Sequence, residues 1–146
     1  MVERKGLIEA DRLDANGKWK EAAEIYRSIA RESKNPVERG EAFIGYGQMY
    51  INMTDYGGAR EIFEKEAPEY EHALSGWERE YFKARVLEKM GWVYDYEGDT
   101  KNAIRNFSQA RNILGEKARI DNRVKKVYET SNHFLGRAYV IEAFWE

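Results

Sequence analysis

Apolar residues return along this chain every three or four positions, and the returning stripe is repeatedly broken by a short polar turn and then resumed. Between residues 87 and 110, Leu87, Met90, Gly91 and Tyr94 fall on one face of a helix, and Ala103, Phe107 and Ala110 form a second stripe. Gly98-Asp99 separates the two, with Asp99 or Thr100 placed to cap the second helix. The small residues Gly91 and Ala103 mark where the two backbones approach closely. The same spacing occurs upstream: Phe43-x2-Tyr46-Gly47-x2-Tyr50 leads nine residues on to Ala59 and then Phe63. Ala10-x2-Leu13 leads, again nine residues on, to Ala22 and Tyr26. Leu135-Gly136-x2-Tyr139 starts a fourth copy whose alanine would fall at position 148, past the last residue. One such hairpin cannot bury both of its stripes, so the copies are expected to stack.

Turn and cap signals divide the pattern into helices. The first spans about residues 3–15 and stops at Asn16-Gly17; the second covers about 19–33. Asn35-Pro36-Val37-Glu38 predicts the start of the third, with Asn35 as cap, Pro36 in the first turn and Glu38 reaching back. That helix runs to about residue 53, and the fourth from 56 to about 67, where Pro68 is expected to end it. Ser75-Gly76-Trp77-Glu78 predicts a fifth helix over 76–96, and a sixth covers about 101–114. Residues 117–145 fit one long helix or two.

These residues resemble the tetratricopeptide repeat, whose signature is W-x2-L-G-x2-Y, then A-x3-F, then a late proline. The resemblance covers nearly the whole chain. It implies an all-α fold of antiparallel helix hairpins stacked as a right-handed tetratricopeptide-like α-solenoid of about seven helices. A single domain over 1–146 is expected, with repeats near 3–34, 36–67 and 76–114 and a half-repeat over 117–146. Gly6 and Glu9 stand where the first copy wants large apolar residues, and Pro36 and Pro68 are displaced from the signature position. Gly47, Gly91 and Gly136 lie 44 and 45 residues apart, a longer period than the usual 34.

Composition narrows the function classes. Length fits one domain, charged residues make up 34 % of the chain, and the net charge of −2 gives no global attraction to nucleic acid or anionic membrane. There is no cysteine, hence no disulfide, thiolate nucleophile or cysteine-ligated zinc. No apolar stretch approaches the ~20 residues of a membrane span, and a cytoplasmic address is expected. The two histidines, His72 and His133, lack metal-ligand spacing, no serine sits in a nucleophile elbow, and Gly45-x-Gly47 lacks the third glycine of a dinucleotide loop. The glutamates from Glu61 to Glu80 read as a solvated face. No catalytic residue, metal or cofactor is assigned.

What the resemblance implies instead is a surface for a protein or peptide, lined by the first helix of each hairpin. In the third helix the non-core positions are Ile44, Gln48, Ile51 and Asn52; in the fifth they are Arg85, Glu88, Lys89, Trp92, Asp95 and Tyr96. In the last they include His133, Arg137 and Val140. Aromatic and arginine side chains are common binding anchors. Gln48, Asn52, Arg85, Lys89, Trp92, Tyr96 and Arg137 are therefore the candidate partner contacts. Two roles stay open for Trp92, a groove anchor or packing between long helices, and Arg85 and Lys89 equally fit a solvated face. Some members of the family clamp a peptide carboxylate with Lys and Asn from the first hairpin, Asn from the second and two basic residues from the third. Only Arg85 and Lys89 match; Leu7, Asp11 and Gly45 occupy the other positions, which disfavours that clamp.

A basic run, with Arg111, Lys117, Arg119, Arg123, Lys125 and Lys126, reads as a soluble edge rather than a nucleic-acid site. Ile141, Phe144 and Trp145 leave an apolar end suited to a partner or to a homodimer through the last helix. The reading is a non-catalytic binding scaffold. Its alternative is the peptide-sensing or dimerisation module of a bacterial regulatory protein.

Overall fold

The computed structural model describes residues 2–115, which form six helices: α1 (Val2–Ala15), α2 (Trp19–Glu32), α3 (Pro36–Asn52), α4 (Tyr56–His72), α5 (Gly76–Tyr96) and α6 (Thr100–Leu114). Among the described residues there is no strand, and no helix is long and apolar enough to cross a membrane. The expected seventh helix, most of the basic run and the residues Arg137, Ile141, Phe144 and Trp145 lie outside the described residues.

The three hairpins turn in the same way. Gly17, Thr54 and Gly98 each take a positive φ, of 75°, 61° and 82°. In each turn the next residue's N–H reaches back five positions: Lys18 to Leu13 O at 2.8 Å, Asp55 to Tyr50 O at 2.9 Å, Asp99 to Tyr94 O at 2.8 Å. This is the left-handed helix stop that satisfies otherwise orphaned carbonyls. The following helix then starts on a carboxylate in two of the three cases. Asp55 accepts from Gly58 N at 2.8 Å, and Asp99 accepts from Asn102 N at 3.1 Å. Between hairpins, Asn35 Oδ1 caps α3 by accepting from Val37 N and Glu38 N. The return bond expected from Glu38 is replaced by a different one: Asn35 N donates to the hydroxyl of buried Ser33, 3.2 Å away.

Two arginines at the starts of helices close the ends of the helices before them. Arg39 Nε donates to Ala30 O of α2 at 2.8 Å, while its guanidinium lies 5.3 Å from the centre of the Tyr70 ring. Arg79 Nε donates to Leu74 O at 2.9 Å and Glu71 O at 3.2 Å, at the end of α4. Cationic donors suit these sites, because the last carbonyls of a helix carry its negative pole.

Helix α4 corrects one expectation. It passes through Pro68 and ends at His72 rather than near residue 67. Pro68 removes one backbone donor, but the turn beyond it is held from outside. Tyr70 is 4 % exposed and stacks on Phe43 with centroids 4.4 Å apart, and Leu74 is buried. Burying an aromatic ring of this size outweighs the loss of a single hydrogen bond.

Packing divides the chain into two compact units that meet in sequence between Phe82 and Lys83, inside α5. In the first, Phe43 is the hub. It is fully buried and meets Phe63 edge-on at 5.8 Å, Tyr70 face-on, and Phe82 at 6.1 Å. The repeat alanines Ala22 and Ala59 are fully buried, and α3 packs on α1, α2 and α4. In the second unit Ala103 and Phe107 are fully buried, with Trp92, Tyr94 and Ile104 packed around them. A β-carbon on Gly47 would lie 2.3 Å from the Phe63 ring; one on Gly91 would lie 2.6 Å from the Phe107 ring. Each glycine thus gives its place to the aromatic ring that follows the repeat alanine.

Candidate functional site

The candidate contacts on α3 are ordered by a hydrogen-bond relay. Asn52 stands one turn beyond Gln48, whose Nε2 donates to Asn52 Oδ1 at 2.9 Å. Asn52 Nδ2 in turn donates to Asp14 Oδ1 on α1 at 3.1 Å. Ile44 and Ile51, read from spacing as ligand-facing, are only 2 % and 7 % exposed and belong to the core. The reason is that α3 is enclosed by three helices, so its apolar surface is wider than one stripe.

Tyr26, Asp11 and Asp14 join this region through contacts that the sequence pattern did not reveal. The ring of Tyr26 crosses from α2 against Gly45, where a β-carbon would lie 2.8 Å from it. Its hydroxyl donates to Asp11 Oδ1. Burial, the bond to Asp11 and the negative charges of Asp11, Asp14 and Glu41 all push the Tyr26 phenol well above its ordinary value. Burial pushes Tyr46 and Tyr70 up as well, against a smaller opposing pull from Arg27 on Tyr46 and from Arg39 and Arg31 on Tyr70. Burial and the bond to Tyr50 still push Tyr46 up to about 12.

On α5 the second unit carries the other candidates. Trp92 meets Phe107 edge-on at 5.2 Å and stacks on Tyr96 at 6.1 Å. Trp92 therefore packs on the core, whereas Tyr96 is 53 % exposed. Arg85 and Lys89 are partly exposed. Glu88, grouped with them by spacing, is 9 % exposed and is a buried carboxylate rather than a surface contact. His133, Arg137 and Val140 lie outside the described residues. Among the described residues no group of His, Asp or Glu side chains is arranged to hold a metal ion.

The repeated stop, the buried alanine and the ring seated on a glycine define a tetratricopeptide-like helical-repeat fold. The same fold is found in the crystal structure of PcrH from Pseudomonas aeruginosa, which superposes with a TM-score of 0.71 at 14 % identity, over 94 % of this chain and 92 % of that one. No protein-family model matches the sequence, and no curated protein matches it. At this identity the likeness concerns the fold.

Proposed function

We propose that this protein is a non-catalytic scaffold that binds another protein or a peptide through the exposed faces of its first-of-pair helices. Gln48 and Asn52 on α3, and Arg85, Lys89 and Tyr96 on α5, are the contacting residues; Arg137 would add to them. The observation that carries the reading is the state of Tyr96: a large aromatic side chain that stays 53 % exposed while stacked on a ring anchored in the core. A half-exposed aromatic held by a stacked ring, on the helix face that carries Lys89 and Arg85 two and three turns back, is an economical binding anchor, since little rotamer freedom is lost on contact. The fold supports the same reading, because hairpin repeats present helix faces without building a closed cleft.

The test is a pull-down from native lysate followed by cross-link mapping, using Arg85→Glu combined with Tyr96→Ala. Trp92 is spared because removing it would strip a contact from Phe107. Loss of the captured partner with an unchanged melting temperature supports the proposal. Undiminished capture would remove α5 from the contact surface.

A further inference from the structure

The strip where α1 and α3 run side by side is rich in hydrogen-bond acceptors. Ile8, Asp11 and Asp14 succeed one another at three-residue steps on α1; Glu41, Gly45, Gln48 and Asn52 do so at three and four on α3. The donors of this group are turned inward. The Tyr26 hydroxyl is spent on Asp11, the Asn52 amide on Asp14, and a Gln48 N–H on Asn52. A carboxylate offers about four lone-pair positions, so Asp11 and Asp14 keep acceptor capacity after these bonds. Glu41 adds a third carboxylate at an exposed position. Beside them, Ile8 is 62 % exposed, a large apolar side chain standing in water one turn from Asp11.

We infer that this strip docks an extended peptide segment of a partner protein that carries lysine or arginine beside an apolar side chain. Charge complementarity names the occupant. Three carboxylates attract an ammonium or guanidinium and repel an acidic segment, while Ile8 supplies the apolar contact that a bare cation would leave unused. The network fixes two of the three carboxylates before the ligand arrives, Asp11 by a phenol and Asp14 by an amide, so little ordering of these two is required on binding. The inference rests on the scaffold reading and names the partner's chemistry for the α1/α3 face.

The experiment is an amide-shift titration of the full chain by NMR at low salt, with two capped pentapeptides as probes, Leu-Arg-Leu-Lys-Leu and Leu-Glu-Leu-Glu-Leu. The basic peptide should move the amides around Ile8–Asp14 and Gln48–Asn52, and the acidic one should not. Asp11→Lys with Asp14→Lys should weaken binding by about tenfold or more. Because that variant also breaks the bonds to Tyr26 and Asn52, Glu41→Lys serves as the second variant. It leaves both bonds in place and should weaken binding severalfold, while Glu61→Lys on α4 should not. Binding of the acidic peptide, or shifts confined to α4, would overturn the inference and leave the scaffold reading standing. Concentration-dependent shifts of the same amides without peptide, lost in Glu41→Lys, would make a second copy the occupant and equally overturn it.

Discussion

Gly91 leaves room for one ring and nothing else. Three atoms of Phe107 would lie within 2.8 Å of a β-carbon there. The ring is fully buried and has Trp92 edge-on against it, so it cannot swing away cheaply. Gly91→Ala should therefore cost about 1–3 kcal/mol of stability, the usual range for overpacking a filled core. The check is the denaturant midpoint, which should fall with an unchanged slope. Gly91 and Gly47 were legible from sequence as small positions in a repeated motif. The occupant of the space was not. The spacing suggested backbone approaching backbone, whereas the ring after the repeat alanine fills the gap. Residue identity reports that a side chain is missing, and only packing reports what took its place.

At the scale of the element, the helix ends were the most readable feature and the arginines that close them the least. Asn16-Gly17 and Gly98-Asp99 declare a stop and a start by their conformational preferences alone. Arg39 and Arg79 declare nothing locally, because an arginine in a first turn is ordinarily a solvated charge. The available signal was the repeated Glu-Arg pair at 38–39 and 78–79, each arginine four residues after the residue that precedes its helix. Arg39→Lys should test the interlock. Lysine keeps the charge but has neither the Nε donor that reaches Ala30 nor the planar face set on Tyr70. The substitution should lower stability by about 1.5–3 kcal/mol, as expected for a charge-assisted bond, and the thermal midpoint should fall accordingly. Stability equal to the parent would show that charge alone suffices. Pro68 misled at this scale for a related reason. A breaker acts on a helix from within, and Tyr70 holds that turn from without.

At the scale of the molecule, three buried phenols set how the first unit responds to base. Tyr26, Tyr46 and Tyr70 all have raised values, Tyr46 reaching about 12, with burial the largest cause in each. A value raised by folding contributes stability in full below the ordinary tyrosine value of 10.0 and loses it as the pH climbs through the folded values. Tyrosinate absorbance should thus show a step above the ordinary value that coincides with loss of helical ellipticity. A single early step with the helices intact would contradict this. The fold class was open to sequence reasoning because it emerges from periodicity summed over many positions. The candidate surface was only partly so. Gln48 and Asn52 could be placed by spacing, but the bond from Asn52 to Asp14, and the hydroxyl of Tyr26 on Asp11, join residues distant in the chain.

Helix α5 has 21 residues and α3 has 17, yet both carry the arginine near the start and the glycine further along. Four inserted residues lengthen a helix by about 6 Å but rotate its downstream turns by only about 40°. The two landmarks can thus drift apart along the axis while still looking the same way. Insertions near one full revolution are the increments such an architecture tolerates, whereas two extra residues would turn Gly91 away from the ring it accommodates. Copies of this motif are therefore better sought by their angular phase than by a fixed count of residues.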